Sequence, residues 1–260
     1  MQKIESPKNE QIKQIKKLQQ KKYRQQQGRY LLEGWHSIKE ALNNQPEKIK
    51  LLLVEADYLA TVAPLAEQAT GAQLIEITPR VTEVLSETVH PEGVFAVIDN
   101  QATVVEQNDQ PRPWLVLDRV QDPGNAGTMV RTADAAGFAG VVFSEGGIDP
   151  WNSKVVRSMQ GSQFHLQVLQ VPDLKTWLLA QRTAGYQLLG TLVDPNATDM
   201  RAFQPASGAY ALVLGNEAHG MAPELAAEMD VNLYVPIFGH AESLNVAIAA
   251  AILMYQLQLN

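Results

Sequence analysis

The chain contains no cysteine among its 260 residues. That excludes a disulfide framework, a thiolate nucleophile and a thiolate zinc site. Long apolar runs are missing too: the longest, Val246 to Tyr255, is too short to cross a bilayer. The N-terminus, MQKIESPKNEQIKQ, has no apolar signal-peptide core. The five histidines, His36, His90, His165, His219 and His240, are scattered without metal-ligand spacing. No GxxxxGK[ST] loop, GxGxxG fingerprint or GxSxG elbow occurs. These absences predict a soluble, cytoplasmic protein with no metal and no membrane segment. They set aside P-loop enzymes, dinucleotide folds, the common Rossmann methyltransferases and α/β-hydrolases.

What is present is a 45% apolar composition, enough for a real core in one large or two ordinary domains. The net charge of −7 taken alone argues against a nucleic-acid partner, but it is unevenly spread. Residues 1–30 hold nine Lys or Arg against two acids, a local +7 that leaves −14 on the remainder. Such asymmetry suggests a basic arm for a polyanion on an acidic body, or else a solvated Lys/Gln-rich surface helix.

Ile12, Ile15, Leu18 and Tyr23 fall at helical spacing within EQIKQIKKLQQKKYRQQQGRY, and Gly28 is a stop signal, so residues 1–28 are expected as a basic helical arm. Residues 29–98 alternate strand and helix: YLLEG, WHSIKEALNN, KIKLLLVE, YLATVAPLAEQAT, AQLIEIT, PRVTEVLSET, GVFAVID. The polar, proline-bearing stretch 99–112 reads as a linker. From 113 to 260 short Val/Leu-rich runs (WLVLD, GVVFS, HLQVLQ, YQLLGTLV, YALVLG, VNLYVP) alternate with helical patterns. This predicts an α/β fold whose mainly parallel sheet is covered on both faces and carries its site at the carboxyl ends of the strands.

Three strand-end loops hold the polar residues of interest. After WLVLD, the turn DPGN makes Asn125 a candidate helix N-cap, and Arg131 lies six residues on, about 9 Å along the axis. An Asn, free amides and an Arg there suit a phosphate; they also suit an ordinary cap and a surface arginine. After YALVLG, Gly215 and Gly220 bracket a polar loop whose one acid is Glu217. After VNLYVP, the segment HAESLN leads into a helix rich in small residues, with Asn245 as its expected N-cap.

Together NAGTMVR, LGNEAHG and PIFGHAESLNVAIA resemble, in order and without gaps, the three motifs of the SpoU/TrmH family of SPOUT RNA methyltransferases. The intervening DPWNSKVVRSMQGSQFHLQV fits as well, so the resemblance spans residues 113–260. RYLLEGWHSIKEAL and TVHPEGVFAVI make residues 29–98 similar to that family's small L7Ae-like substrate-binding domain, with Glu92 where members commonly have Gln.

The resemblance implies a trefoil-knotted catalytic domain and transfer of a methyl group from S-adenosylmethionine to a ribose 2′-hydroxyl in structured RNA. It implies Asn125, Arg131, Glu217, Ser243 and Asn245 as catalytic residues. For the cofactor it implies Thr191, Leu214, Gly215, Asn216, Val235, Ile237 and Leu244, with Leu244 against the adenine. Arg131 is expected to grip a phosphate and polarise the hydroxyl, because a guanidinium stays protonated at working pH; Glu217 is expected to orient it. Small residues at Ala247, Ala249, Ala250 and Ala251 are expected to pack inside the knot or against a second subunit of a homodimer. Ribosomal RNA is favoured over transfer RNA by the additional N-terminal domain. The competing readings are a transfer-RNA 2′-O-methyltransferase, a non-catalytic RNA-binding relative and an unrelated nucleotide-binding α/β enzyme.

Overall fold

A computed structural model describes residues 1–100 and 111–259. The chain divides into two compact units: Met1–Gln101 with Trp151–His165, and Ala102–Pro150 with Leu166–Asn260. The segment 151–165 therefore groups with the first unit, which departs from an unbroken division at 113. Most of the expected linker, 101–110, lies outside the described residues.

The first unit begins with β1 (Gln2–Ile4), α1 (Glu10–Lys17) and α2 (Lys21–Gln27). The expected basic arm is thus one strand and two helices built into the unit. The reason is its apolar stripe: Ile4, Ile12, Ile15 and Leu18 are buried in one core cluster with Ile75, Ile77, Val81 and Phe95. Each such side chain contributes roughly 1.5–3 kcal/mol when removed from water. The Asn9 side chain caps α1 by accepting from Gln11 N at 2.8 Å. The break between the helices is held by Arg24, buried, whose Nη1 donates to Leu18 O at 2.9 Å and Gln19 O at 2.8 Å. Gly28, at φ 61°, ends α2 as the sequence suggests. The exposed cations of these helices are Lys13, Lys16, Lys21 and Lys22.

β2 (Arg29–Glu33), α3 (Trp35–Asn44), β3 (Ile49–Glu55), α4 (Ala56–Ala66), β4 (Gln73–Ile77), α5 (Pro79–Leu85) and β5 (Val94–Asp99) follow. They complete a five-stranded sheet of order β1-β4-β3-β5-β2, in which β5 runs antiparallel to both neighbours. The carboxylate of Glu92, the position departing from the family pattern, accepts from Trp35 N at 2.6 Å and satisfies an orphan donor at the start of α3. From the segment 151–165, Trp151 stacks on Tyr30 at 4.7 Å, Val156 and Phe164 join a second core cluster, and Gln45 Nε2 donates to Phe164 O.

The remaining elements are β6 (Trp114–Leu117), α6 (Pro123–Ala135), β7 (Gly140–Ser144), α7 (Ser153–Met159, in the first unit), β8 (Gln167–Val171), α8 (Leu174–Thr183) and β9 (Gln187–Thr191). Then come β10 (Thr198–Asp199), β11 (Tyr210–Leu214), α9 (Pro223–Ala226), β12 (Val231–Tyr234) and α10 (Val246–Leu259). Of these strands, β10 is two residues long and has no readable sequence pattern. The seven strands form an all-parallel sheet of order β10-β12-β9-β11-β6-β7-β8. Val116, Ala211, Val213 and Leu188 pack toward Leu174 and Leu178 of α8, while the alternate residues Leu115, Leu117, Leu212 and Leu214 are equally buried. Burial on both faces is what the unbroken apolar runs predict.

Candidate active site

Because every strand of the second sheet points the same way, the loops after β6, β9, β11 and β12 gather at one edge. Two hollows lie there. The more enclosed, about 460 Å3, is walled by the expected cofactor residues Thr191, Leu214, Gly215, Asn216, Val235, Ile237 and Leu244, and also by Glu217 and Ser243. A more open depression is lined by Gln121, Asp122, Asn125, Asn216, Glu217, Ala218 and Asn245. Asn216, Glu217 and Ala218 belong to both, so the two hollows meet along that tripeptide.

Local chemistry explains how the loop after β11 turns. A Cβ on Gly215 would stand 2.1 Å from Met221 N and 2.2 Å from Gly220 C, so only glycine fits. Asn216 and Gly220 exchange backbone hydrogen bonds at 3.0 and 2.8 Å, with Gly220 at φ 66°. The Asn216 Oδ1 accepts from Ala218 N and His219 N at 3.0 and 3.1 Å. Thr191 Oγ1 donates to Val213 O at 2.9 Å, which ties the end of β9 to β11 beside the cleft.

The three motif loops are joined by a chain of side-chain hydrogen bonds. Asn245 Nδ2 donates to Asn125 Oδ1 at 3.0 Å, and Asn125 Nδ2 donates to Glu217 Oε1 at 3.2 Å. Glu217 also accepts from Gln121 N and Asp122 N, each at 3.1 Å. Burial acts to raise the Glu217 carboxyl, but hydrogen bonds from its own backbone, from Asn125 and from Asp122 and Gln121 outweigh it and hold it below the usual carboxylate range. Glu217 is therefore an ionised clamp at neutral pH, unsuited to taking up a proton. Asn245 is the N-cap of α10, as expected: its Oδ1 accepts from Ala247 N at 2.9 Å and Ile248 N at 3.3 Å.

Two expectations are corrected. Asp122, not Asn125, caps α6, its Oδ1 accepting from Asn125 N at 2.7 Å; the turn places Pro123 first in the helix and Asn125 inside its first turn. Glu217 does not hold Arg131, because its oxygens are already taken by the loop before α6. Arg131 is exposed on α6, has no side-chain hydrogen bond or ion pair among the described residues, and lines neither hollow. Of the two packings expected for the small residues of α10, Ala247 and Ala250 take the one within the chain: both are buried where α10 packs on α6, so Ala250 is not on a surface open to a second subunit.

The cleft also uses residues that the sequence does not single out, including Tyr234, Glu242, Val246, Ala249 and Leu253. Val246, Ala249 and Leu253 share one face of α10, a helical periodicity readable in the sequence once the site is known. Glu242 has only its place beside Ser243 to mark it. Among the described residues, the wall holds Glu217, Glu242 and His219 but no Lys or Arg. A volume in the usual range of about 300–1,000 Å3, apolar walls and acidic rather than basic charge fit an uncharged or cationic small molecule better than a phosphate-bearing one. Among the described residues, no group of three or more His, Asp or Glu is placed to hold a metal ion, and no helix is long and apolar enough to cross a membrane.

Comparison with known proteins matches residues 113–255 to the SpoU rRNA Methylase family and residues 9–96 to the MRM3-like substrate binding domain. The second match begins inside the expected arm. A Bacillus subtilis protein named 23S rRNA (guanosine(2553)-2'-O)-methyltransferase RlmP is 40% identical over 99% of this chain and 100% of its own length. Among solved structures, an AdoMet-bound rRNA methyltransferase from Sinorhizobium meliloti superimposes with a TM-score of 0.87 at 30% identity, covering 98% of this chain and 96% of that one. The SpoU methyltransferase AviRb from Streptomyces viridochromogenes, in complex with AdoMet, gives 0.83 at 28% identity, covering 96% and 97%.

Proposed function

The chain belongs to the SpoU rRNA methylase family, and from that premise we propose that it transfers a methyl group from S-adenosylmethionine to a ribose 2′-hydroxyl of ribosomal, 23S-type RNA. The observation that carries this reading is the 460 Å3 cleft, whose wall unites all seven expected cofactor residues and bears carboxylates but no Lys or Arg among the described residues. Such a wall suits a neutral adenosine and a positive sulfonium, and it disfavours the phosphates of a dinucleotide. When bound, S-adenosylmethionine supplies an electrophilic methyl group.

The chain's own residues supply position and charge. Asn245 and Asn125, tied to the ionised Glu217, present neutral donors and acceptors beside the cleft, in the open depression where an acceptor ribose fits. Ser243 stands on the cleft wall, two residues before Asn245. Arg131, with no side-chain partner among the described residues, is available to an RNA phosphate, where a bidentate guanidinium is strongest. Its separation of about 9 Å along α6 from Asn125 is shortened by the lean of helical side chains toward the N-terminus.

The first unit serves as the RNA-binding part, with the cations of α1 and α2 on its surface. The second unit carries the trefoil knot of the family, and the protein works in the cytoplasm. It acts as a homodimer: Ile248, Ile252, Tyr255 and Leu259 form an apolar stripe on α10, exposed by 53, 36, 46 and 81%. Helical spacing puts them on one face, and covering them removes a cost that water imposes on the monomer.

The test is incubation with S-adenosylmethionine labelled in its methyl group and purified ribosomal or transfer RNA. Label in ribosomal RNA is expected. Label confined to transfer RNA would move the substrate, and cofactor binding without label in either RNA would make the chain a non-catalytic relative.

A further inference from the structure

Two described non-glycine residues have positive φ, Gln160 and Arg119, both at 53°. Gln160 follows α7 as an ordinary left-handed helix cap. Arg119 caps nothing: it lies between β6 and α6, where a β-carbon makes the left-handed region unfavourable. Such a residue persists only where its surroundings over-determine it.

The surroundings do so here from both sides. Before the kink, Asp118 N donates to Leu214 O at 2.8 Å, and Arg119 N donates to Ser144 Oγ at 2.8 Å. After it, Val120 O accepts from Ile148 N at 2.8 Å. Gly147 permits the close approach, since a Cβ there would lie 3.0 Å from Val120 O and 3.3 Å from Arg119 Cα. The guanidinium folds back onto its neighbour, with Nε and Nη2 donating to the buried Asp118 carboxylate at 3.1 and 3.3 Å. Asp118 in turn accepts from Ala222 N at 3.3 Å.

The product of the kink is one carbonyl. Arg119 O accepts from Asn216 Nδ2 at 2.8 Å, which leaves Asn216 Oδ1 aimed at Ala218 N and His219 N. That side chain thereby holds the 216–220 loop, a wall of the enclosed cleft. We infer that Arg119 is a positioning residue for the cofactor rim, acting through its left-handed backbone and not through its charge. An extended residue at 119 would turn the carbonyl away from Asn216 and release the loop. The inference rests on the reading of the enclosed cleft as the S-adenosylmethionine site.

The test is a series at one position: Arg119→Gly, Arg119→Asn, Arg119→Ala and Arg119→Val. All four lack the guanidinium, but they differ in tolerance of positive φ, in that order. Calorimetric Kd for S-adenosylmethionine should follow the same order, from within about twofold of wild type for glycine to about tenfold weaker for valine, a factor of ten corresponding to about 1.4 kcal/mol. The Kd for RNA without cofactor should change by less than about twofold throughout. Should the valine protein not fold, the glycine, asparagine and alanine proteins still give the ranking. Equal losses across the series would overturn the proposal in favour of the side chain, and wild-type affinity in a folded valine variant would overturn it outright. Failure of the wild-type protein to bind S-adenosylmethionine would instead sink the reading of the cleft.

Discussion

The two sheets end differently, and the difference lies in their loops. In the first unit the helices start almost where the strands stop: Gly34 alone separates β2 from α3, and α4 follows β3 directly. Carboxylates at that edge close neighbouring turns. Glu33 accepts from Ser86 Oγ and Thr88 Oγ1, and Glu55 accepts from Thr82 Oγ1. The hollow around Leu18, Leu31, Leu85 and Trp151 holds only about 20 Å3. In the second unit 215–222 separates β11 from α9, and 235–245 separates β12 from α10. These longer loops overhang the strand ends and enclose about 460 Å3. A covered α/β sheet is a scaffold in both cases; overhanging loops and a glycine at the strand end make the site.

The sharpest way to break that contrast is at Gly215. Gly215→Ala puts a methyl group within 2.1 Å of Met221 N, against backbone that cannot give way. S-adenosylmethionine affinity should fall at least about a hundredfold, or the second unit should fail to fold. Gly239→Ala, in the loop after β12, meets nothing within 4 Å and should bind the cofactor as wild type does in the same titration.

Next in size is Arg131, which lines neither hollow and which the proposed function gives to the RNA. Arg131→Ala should lower kcat by about a hundredfold or more, the scale of a charge interaction made mainly in the transition state, with unchanged cofactor Kd. Arg131→Lys should recover little, because lysine has no planar fork. Single-turnover rates with and without saturating RNA separate the two effects, and a lysine variant with most of the activity would make Arg131 a simple point charge.

Most of this architecture was legible in the sequence because local signals agreed with the fold. Unbroken Val/Leu runs marked buried parallel strands, and Gly28 stood where α2 ends. The three motif loops lie at one edge of the sheet, and all seven expected cofactor residues line one cleft. What escaped was long-range. Asp122 outcompeted Asn125 as a cap because the turn brings its carboxylate onto Asn125 N. Glu217 turned from Arg131 to the backbone of Gln121 and Asp122, partners 96 and 95 residues distant that no spacing reveals. The basic N-terminal segment looked like an arm because its charge is conspicuous, whereas its stripe of Ile4, Ile12, Ile15 and Leu18 only acquires meaning once a core exists to receive it.

A smaller effect is expected at α10. Ile252→Lys places a charge in the exposed stripe and spares Ala247 and Ala250, which serve the chain's own core. Sedimentation should show wild-type dimers and variant monomers at micromolar concentration, with little change in melting temperature. A monomeric wild type would contradict the assembly.

The smallest effect tests the first unit. Replacing Lys13, Lys16, Lys21 and Lys22 by Gln leaves the apolar stripe intact. For every RNA phosphate that the variant no longer neutralises, the slope of log K against log salt should shrink by about 0.7–0.9, while cofactor affinity stays constant. An unchanged slope would mean that these lysines only solvate the surface.

The most direct test of the central claim is the chemical position of the transferred methyl group. RNA labelled by the protein from S-adenosylmethionine should be hydrolysed to completion in alkali, where a free 2′-hydroxyl attacks the neighbouring phosphodiester and a methylated one cannot. Label recovered in alkali-resistant dinucleotides is the predicted result; label recovered only in mononucleotides would mean methylation of a base and would contradict the assignment.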